Sequence, residues 1–182
     1  MPLIMILGLP GTGKTFFAKE LSEFLPDKPI YLSTDIVRRY LFDFSHHHYE
    51  PFGEKSYTQE KRDLVYNALY LVIDILLSQK LSVMVDGTFY SQNKRQPIYK
   101  ICQRSNQELI LIRTTCSEDR IRQRIQDRKS QGKNSSDADF NIYLEIKKRF
   151  EPIKIPHLVI NTEQSLTTNL QEVKKYIDKI RA

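Results

Sequence analysis

The chain has 182 residues, 40% of them hydrophobic and 27% charged, which is enough for one buried core and short for two. That balance excludes disordered and fibrous classes, and no apolar run approaches the ~18 residues of a membrane helix, so no membrane partner is expected. The formal charge of +6 matters only where it is concentrated, and it is concentrated in one stretch.

The chain opens with an apolar run, LIMIL at 3–7, that reads as a buried strand. A Gly-rich turn follows at once, so no targeting signal is read there. The turn, GLPGTGKT at 8–15, matches G-x-x-x-x-G-K-[ST] through Gly8, Gly13, Lys14 and Thr15, with Pro10, Gly11 and Thr12 between them. Glycines let backbone amides form a nest around phosphate oxygens, and a helix starting near Lys14 adds its positive end. Lys14 supplies a point charge for the outer phosphates, and Thr15 a hydroxyl for Mg²⁺. Residues 14–24 place Phe17, Leu21 and Phe24 on one helical face, the context the motif requires.

A second strand, PIYLS at 29–33, leads into TDIVRRYLF, where Ser33 or Thr34 caps the next helix. Asp35 and Arg38 then share one face, three residues apart. A carboxylate suits orienting or deprotonating an acceptor hydroxyl, and an arginine suits an anionic group on it. The stretch 44–57 lacks periodicity and reads as a surface loop. Its consecutive His46, His47 and His48 do not face one ion and have no ligand partners at metal spacing. Ser56 and Gln59 have capping-box spacing, and Leu64, Ala68, Leu71 and Ile75 mark the apolar face of the helix that follows.

The third strand, SVMVDG at 82–87, ends on Asp86, placed to hold Mg²⁺ and to border the acceptor. Asp86-Gly87-Thr88-Phe89 is not D-x-x-G, and Asn93-Lys94-Arg95-Gln96 lacks the acid and follows a turn, so it does not read guanine in the usual way of a GTPase switch. After a fourth strand at 108–114, seven basic residues between Arg113 and Lys133 face three acidic ones. Ile121 and Ile125 mark a helix on which Arg120, Arg124 and Arg128 form one stripe, able to neutralise a transferring phosphoryl group. Arg122 points elsewhere, and the polar segment around Gly132 reads as the rest of a lid. Leu144 and Ile146 sit in another helix, PHLVIN at 156–161 is the last strand, and Leu170, Val173 and Ile177 line the last helix. Cys102 and Cys116 lack metal-type spacing and fit the core of a reduced, cytoplasmic protein.

Strand–helix alternation predicts an α/β fold, a parallel five-stranded sheet flanked by helices on both faces, with ligands beyond the carboxyl ends of the strands. No repeat or linker interrupts it. A single domain over 1–182 is expected, with a lid at about 117–136.

The combination of GLPGTGKT, STDIVRR, VDGTF and RIRQRIQDRKSQGKNSSDAD resembles the P-loop kinases related to polynucleotide 5′-hydroxyl kinase and zeta toxin, a group that includes chloramphenicol phosphotransferase and seryl-tRNA kinases. The likeness runs from Leu3 to about Thr162. It implies a nucleoside-kinase-like P-loop NTPase sandwich with a helical lid. It also implies Asp35 as general base, Arg38 on an acceptor phosphate, Arg124 or Arg128 as the lid arginine, and Asn161 and Thr162 near adenine. The 44–57 loop has no counterpart in the group.

Together these readings predict an ATP- and Mg²⁺-dependent kinase acting on a hydroxyl. The acceptor is a polynucleotide or tRNA 5′-hydroxyl, or a small metabolite. The alternative is a regulatory ATPase that transfers phosphate only to water.

Overall fold

A computed structural model describes residues 2–42, 58–130 and 140–181, backbone only at 128–130. Five strands are present: β1 (Leu3–Leu7), β2 (Ile30–Ser33), β3 (Val83–Gly87), β4 (Leu109–Thr115) and β5 (Leu158–Asn161). The helices are α1 (Lys14–Phe24), α2 (Thr34–Phe42), α3 (Gln59–Ser78), α4 (Gln92–Arg104), α5 (Glu118–Ser130), α6 (Phe140–Arg149) and α7 (Leu166–Arg181). The strands form one sheet in the order β2-β3-β1-β4-β5, every pairing parallel.

The pleat explains the three layers. Leu3, Met5 and Leu7 of β1, with Val83, Val85 and Leu111, pack on Leu69, Ile73 and Leu77 of α3 and Ile98 and Cys102 of α4. Ile4 and Ile6, with Met84, Ile110, Ile112 and Ile160, pack on Phe17, Ala18 and Leu21 of α1 and Val173 and Ile177 of α7. Both faces of β1 are therefore buried, and a continuous apolar run is what a central parallel strand requires. The chain leaves β1 between β3 and β4, which lead away in opposite directions across the sheet. That is the switch point at which ligands bind in such folds.

Three expectations need correction. The inward face of α3 is Val65, Tyr66, Leu69, Ile73 and Leu77, whereas Leu64, Leu71 (62% exposed) and Ile75 point outward. This helix is apolar nearly all round, so spacing alone selects neither stripe. Its N-cap is Thr58, whose hydroxyl accepts from the Lys61 amide, and Gln59 is the first helical residue rather than part of a capping box with Ser56. Helix α4 has no counterpart among the expected elements. Its polar sequence carries Pro97 inside the helix, yet it buries Lys94, Arg95, Ile98, Ile101 and Cys102. The histidines at 46–48, the 44–57 loop and the lid beyond Ser130 lie outside the described residues.

Candidate active site

The phosphate loop is shaped by contacts from distant parts of the chain. Gly8 runs so close to β4 that a Cβ there would collide with the Thr114 side chain and carbonyl. Gly11 and Gly13 both lie at φ 82°, in the left-handed region that glycine tolerates. The Thr12 hydroxyl donates to the Leu9 carbonyl at 2.7 Å and lies 2.9 Å from the Thr114 hydroxyl. From the turn after β5, the Thr162 hydroxyl donates to the Thr12 carbonyl at 2.8 Å. Lys14 Nζ donates to the Leu9 carbonyl at 3.2 Å, and α1 begins there, aiming its amide end at the loop.

Helix α5 rests on this loop. Ile121 and Ile125 are buried with Leu9 and Tyr143, and a Cβ on Gly11 would lie 2.6 Å from Ile121 Cγ2. One turn along, Arg124 donates to the Thr162 hydroxyl at 2.9 Å, the Thr162 carbonyl at 3.0 Å and the Gly11 carbonyl at 3.4 Å. Arg120 is exposed and bonds Gln123 at 2.7 Å, away from the loop. The side chain of Arg128, in the last turn of α5, is outside the described residues.

A cavity of about 660 Å³ is lined by Gly11, Gly13, Lys14, Thr15, Asp35 and Arg124, among others. Asp35 reaches it because the Ser33 hydroxyl accepts from the Ile36 amide and starts α2 at the end of β2. Gly87 permits this approach, since a Cβ there would lie 2.9 Å from Thr34 and 2.7 Å from the Phe89 ring. Asp35 and Arg38 pair at 2.6 Å, one turn apart.

Asp86, next to last in β3, is 2% exposed and accepts from the Tyr31 hydroxyl at 2.5 Å. Burial pushes its carboxyl above the usual range. The Lys14 ammonium and hydrogen bonds from Tyr31 and Thr15 pull it back, and Asp35 adds to the rise. Thr15 and Asp86 thus present a hydroxyl and a carboxylate beside the phosphate loop, an all-oxygen donor pair of the kind Mg²⁺ takes.

Two groups that spacing alone does not mark complete the cavity. Phe16 stands exposed in the first turn of α1 and lines it. Asn169, 2% exposed, donates from Nδ2 to the Asn161 carbonyl at 3.0 Å, while its Oδ1 is buried with no hydrogen-bond partner among the described residues. Asn161 itself forms a turn, its Oδ1 accepting from the Glu163 amide. Thr162 lines the cavity; Asn161 is outside its lining and touches it through the carbonyl that accepts from Asn169.

The chain resembles known proteins in sequence and in fold. The chain is 31% identical over 113 residues to L-seryl-tRNA(Sec) kinase of Methanococcus maripaludis, a match covering 60% of the chain and 39% of that protein's length. Among solved structures, Chaetomium thermophilum Kti12 in complex with ADP-AlF3 superposes with a TM-score of 0.72 at 19% identity, over 97% of this chain and 98% of that one. The APS kinase CysC of Mycobacterium tuberculosis gives 0.69 at 17% identity, over 97% of both. These two likenesses speak to the fold, which is that of P-loop kinases. Residues 3–153 match the AAA domain family AAA_33, and the chain belongs to that kinase-like P-loop family.

Proposed function

We propose that the protein is a kinase that transfers the γ-phosphoryl group of ATP to an acceptor hydroxyl, within the polynucleotide kinase and zeta toxin-like branch of P-loop kinases. The observation that carries it is the Asp35 carboxylate, held by Arg38, on the same cavity as Lys14, Thr15 and Arg124. The amides of residues 8–15 and Lys14 bind the triphosphate, and Thr15 and Asp86 hold Mg²⁺. The metal, when bound, offsets charge on the β- and γ-oxygens. Asp35 accepts the proton of the attacking hydroxyl, Arg38 orients Asp35, and Arg124 faces the charge on the phosphoryl group. Asn169 Oδ1, an acceptor short of a donor, fits the exocyclic amine of adenine, and Phe16 offers a flat face for the ring. The sequence likeness to L-seryl-tRNA(Sec) kinase supports a hydroxyl acceptor, one carried on RNA included.

The test is transfer from γ-labelled ATP with Mg²⁺ to a 5′-hydroxyl oligonucleotide, tRNA, nucleosides and sugars. Label should enter one of these acceptors, and Lys14→Ala should abolish it. Release of phosphate to water alone, across all of them, would replace the kinase reading with a regulatory ATPase.

A further inference from the structure

A second cavity, of about 1000 Å³, lies between the first half of α3, the turn after β3, the start of α4 and the end of α6. That is the upper end of the size of small-molecule sites, more room than a simple polyol needs. Its walls include Asp63, Tyr66, Tyr70, Tyr90, Lys94 and Arg149. It adjoins the phosphate site by two routes. Three residues separate Asp86 from Tyr90, a span of at most roughly 14 Å. The Arg38 guanidinium also acts electrostatically on the Tyr66 hydroxyl.

Lys94 is the feature that asks for a ligand. It is 8% exposed, and its ammonium sits 3.8 Å from the Tyr66 ring centroid and 5.8 Å from that of Tyr90. Among the described residues its carboxylate partner is Asp63 at 3.8 Å, longer than a hydrogen bond, and Asp63 is half-exposed. Burial lowers the pKa of the ammonium, and Arg62 and Arg149 push the same way against Asp63. A desolvated cation with like charges beside it and donors to spare is stabilised by an anion.

The walls are held firmly. Arg95, fully buried, donates to the carbonyls of Phe89 at 3.3 Å and of Glu151 and Pro152 at 3.0 Å each. It thereby fixes the turn after β3, where Phe89 sits at φ 42°, a left-handed conformation that strains a non-glycine residue. The Arg149 guanidinium, on an exposed side chain that lines the cavity, lies over the Tyr90 ring at 5.3 Å. Aromatic faces beside cations match a planar ring that carries a phosphate.

We propose that this cavity is the acceptor subsite, in which Lys94 and Arg149 hold a phosphate group of a nucleotide-sized acceptor while the tyrosine faces hold its ring. Its role as an acceptor site rests on the kinase reading above. Binding there does not require transfer, which allows the two to fail separately.

In the experiment, protein saturated with Mg²⁺ and a non-hydrolysable ATP analogue is titrated with four probes: cytidine 3′-monophosphate, a short 5′-hydroxyl oligodeoxynucleotide, cytidine and inorganic phosphate. One of the first two should bind at least about tenfold more tightly than cytidine or phosphate alone, and Lys94→Met and Arg149→Gln should each weaken it about tenfold or more. Whichever of those two binds better tells whether the nucleotide unit is free or terminal in a strand. Cytidine binding as well as its phosphate, unchanged affinity in both variants, or no binding of any probe would overturn the proposal. Retained binding of the ATP analogue checks folding of Lys94→Met, and Arg149→Gln alters an exposed side chain and gives the answer if Lys94→Met does not fold. Transfer with wild-type kcat/KM in both variants would remove the subsite and leave the kinase. Probe binding lost in the variants, without transfer to any acceptor, would leave the site and remove the kinase.

Discussion

Arg38 reaches back one turn of α2 to Asp35, guanidinium nitrogen to carboxylate oxygen 2.6 Å apart, and the arginine is the more buried of the two. A carboxylate so held keeps one oxygen for the arginine and can turn the other toward an acceptor. Asp35→Asn preserves the shape and removes the proton acceptor. The expected result is a fall in kcat of about 10²–10⁴-fold with ATP affinity unchanged. Phosphoryl transfer and nucleotide titration measured side by side check it, and full transfer by the variant would end the role given to Asp35.

With ATP bound as proposed, Asn169 would separate adenine from guanine by the direction of one hydrogen bond. Its Nδ2 is engaged with the Asn161 carbonyl, so Oδ1 is the free end, and an acceptor meets the amine of adenine but repels the carbonyl of guanine. Asn169→Leu should reduce the preference for ATP over GTP by about tenfold or more, the value of one buried hydrogen bond and its unmatched alternative. Competition of the two nucleotides for the wild type and the variant decides it. An unchanged ratio would place the base elsewhere.

The buried Asp86 gives a pH dependence with a definite sign. Its carboxyl is raised in the folded protein, chiefly by burial, so over the window above the ordinary carboxylate range the native state holds more proton than the unfolded chain. Its ionisation then costs stability as pH rises through that window, and the cost persists at neutral pH. Asp86→Asn should therefore raise Tm at pH 7 without Mg²⁺, by a margin that shrinks as pH falls toward the ordinary carboxylate range. The same variant should lose the stabilisation that Mg²⁺ with ATP gives the wild type. Thermal unfolding from pH 4 to 8, with and without the ligands, reads both effects.

Gly11 has neither conformational nor spatial room for a side chain. At φ 82°, with Ile121 Cγ2 2.6 Å from the position of a Cβ, Gly11→Ala strains the loop and pushes α5 away together. A loss of about 1–3 kcal/mol is expected, with weaker ATP binding. Ile121→Ala in the same background should restore part of the ATP affinity by removing the colliding group. Recovery of none of it would show that backbone strain alone is responsible.

What was legible in the sequence is what local pattern determines. The strand-turn-helix around Gly8–Thr15 and the Asp35–Arg38 pair need only neighbours a few residues away, and so does the placing of Asp86 at a strand end. The burial of α3 was not legible, because Leu64, Leu71 and Ile75 are as apolar as Leu69, Ile73 and Leu77 and only the sheet chooses between them. Helix α4 was hidden for a different reason. Its buried members include Lys94 and Arg95, which pattern reading assigns to solvent. The terminal nitrogens of the Arg95 guanidinium donate instead to carbonyls 6, 56 and 57 residues away. Asn169 likewise becomes meaningful only when β5 and α7 set it beside the phosphate loop.

The hydrogen bond from Thr162 to Thr12 spans 150 residues, and this gives the molecule an order of assembly. On a ribosome the whole phosphate-binding motif emerges well before the turn after β5 that braces it. At about 5–20 residues per second that interval is roughly 8 to 30 seconds. Through it the nascent chain carries the motif without the Thr162 brace, so a nucleotide would meet the braced loop only after the turn beyond β5 has been made.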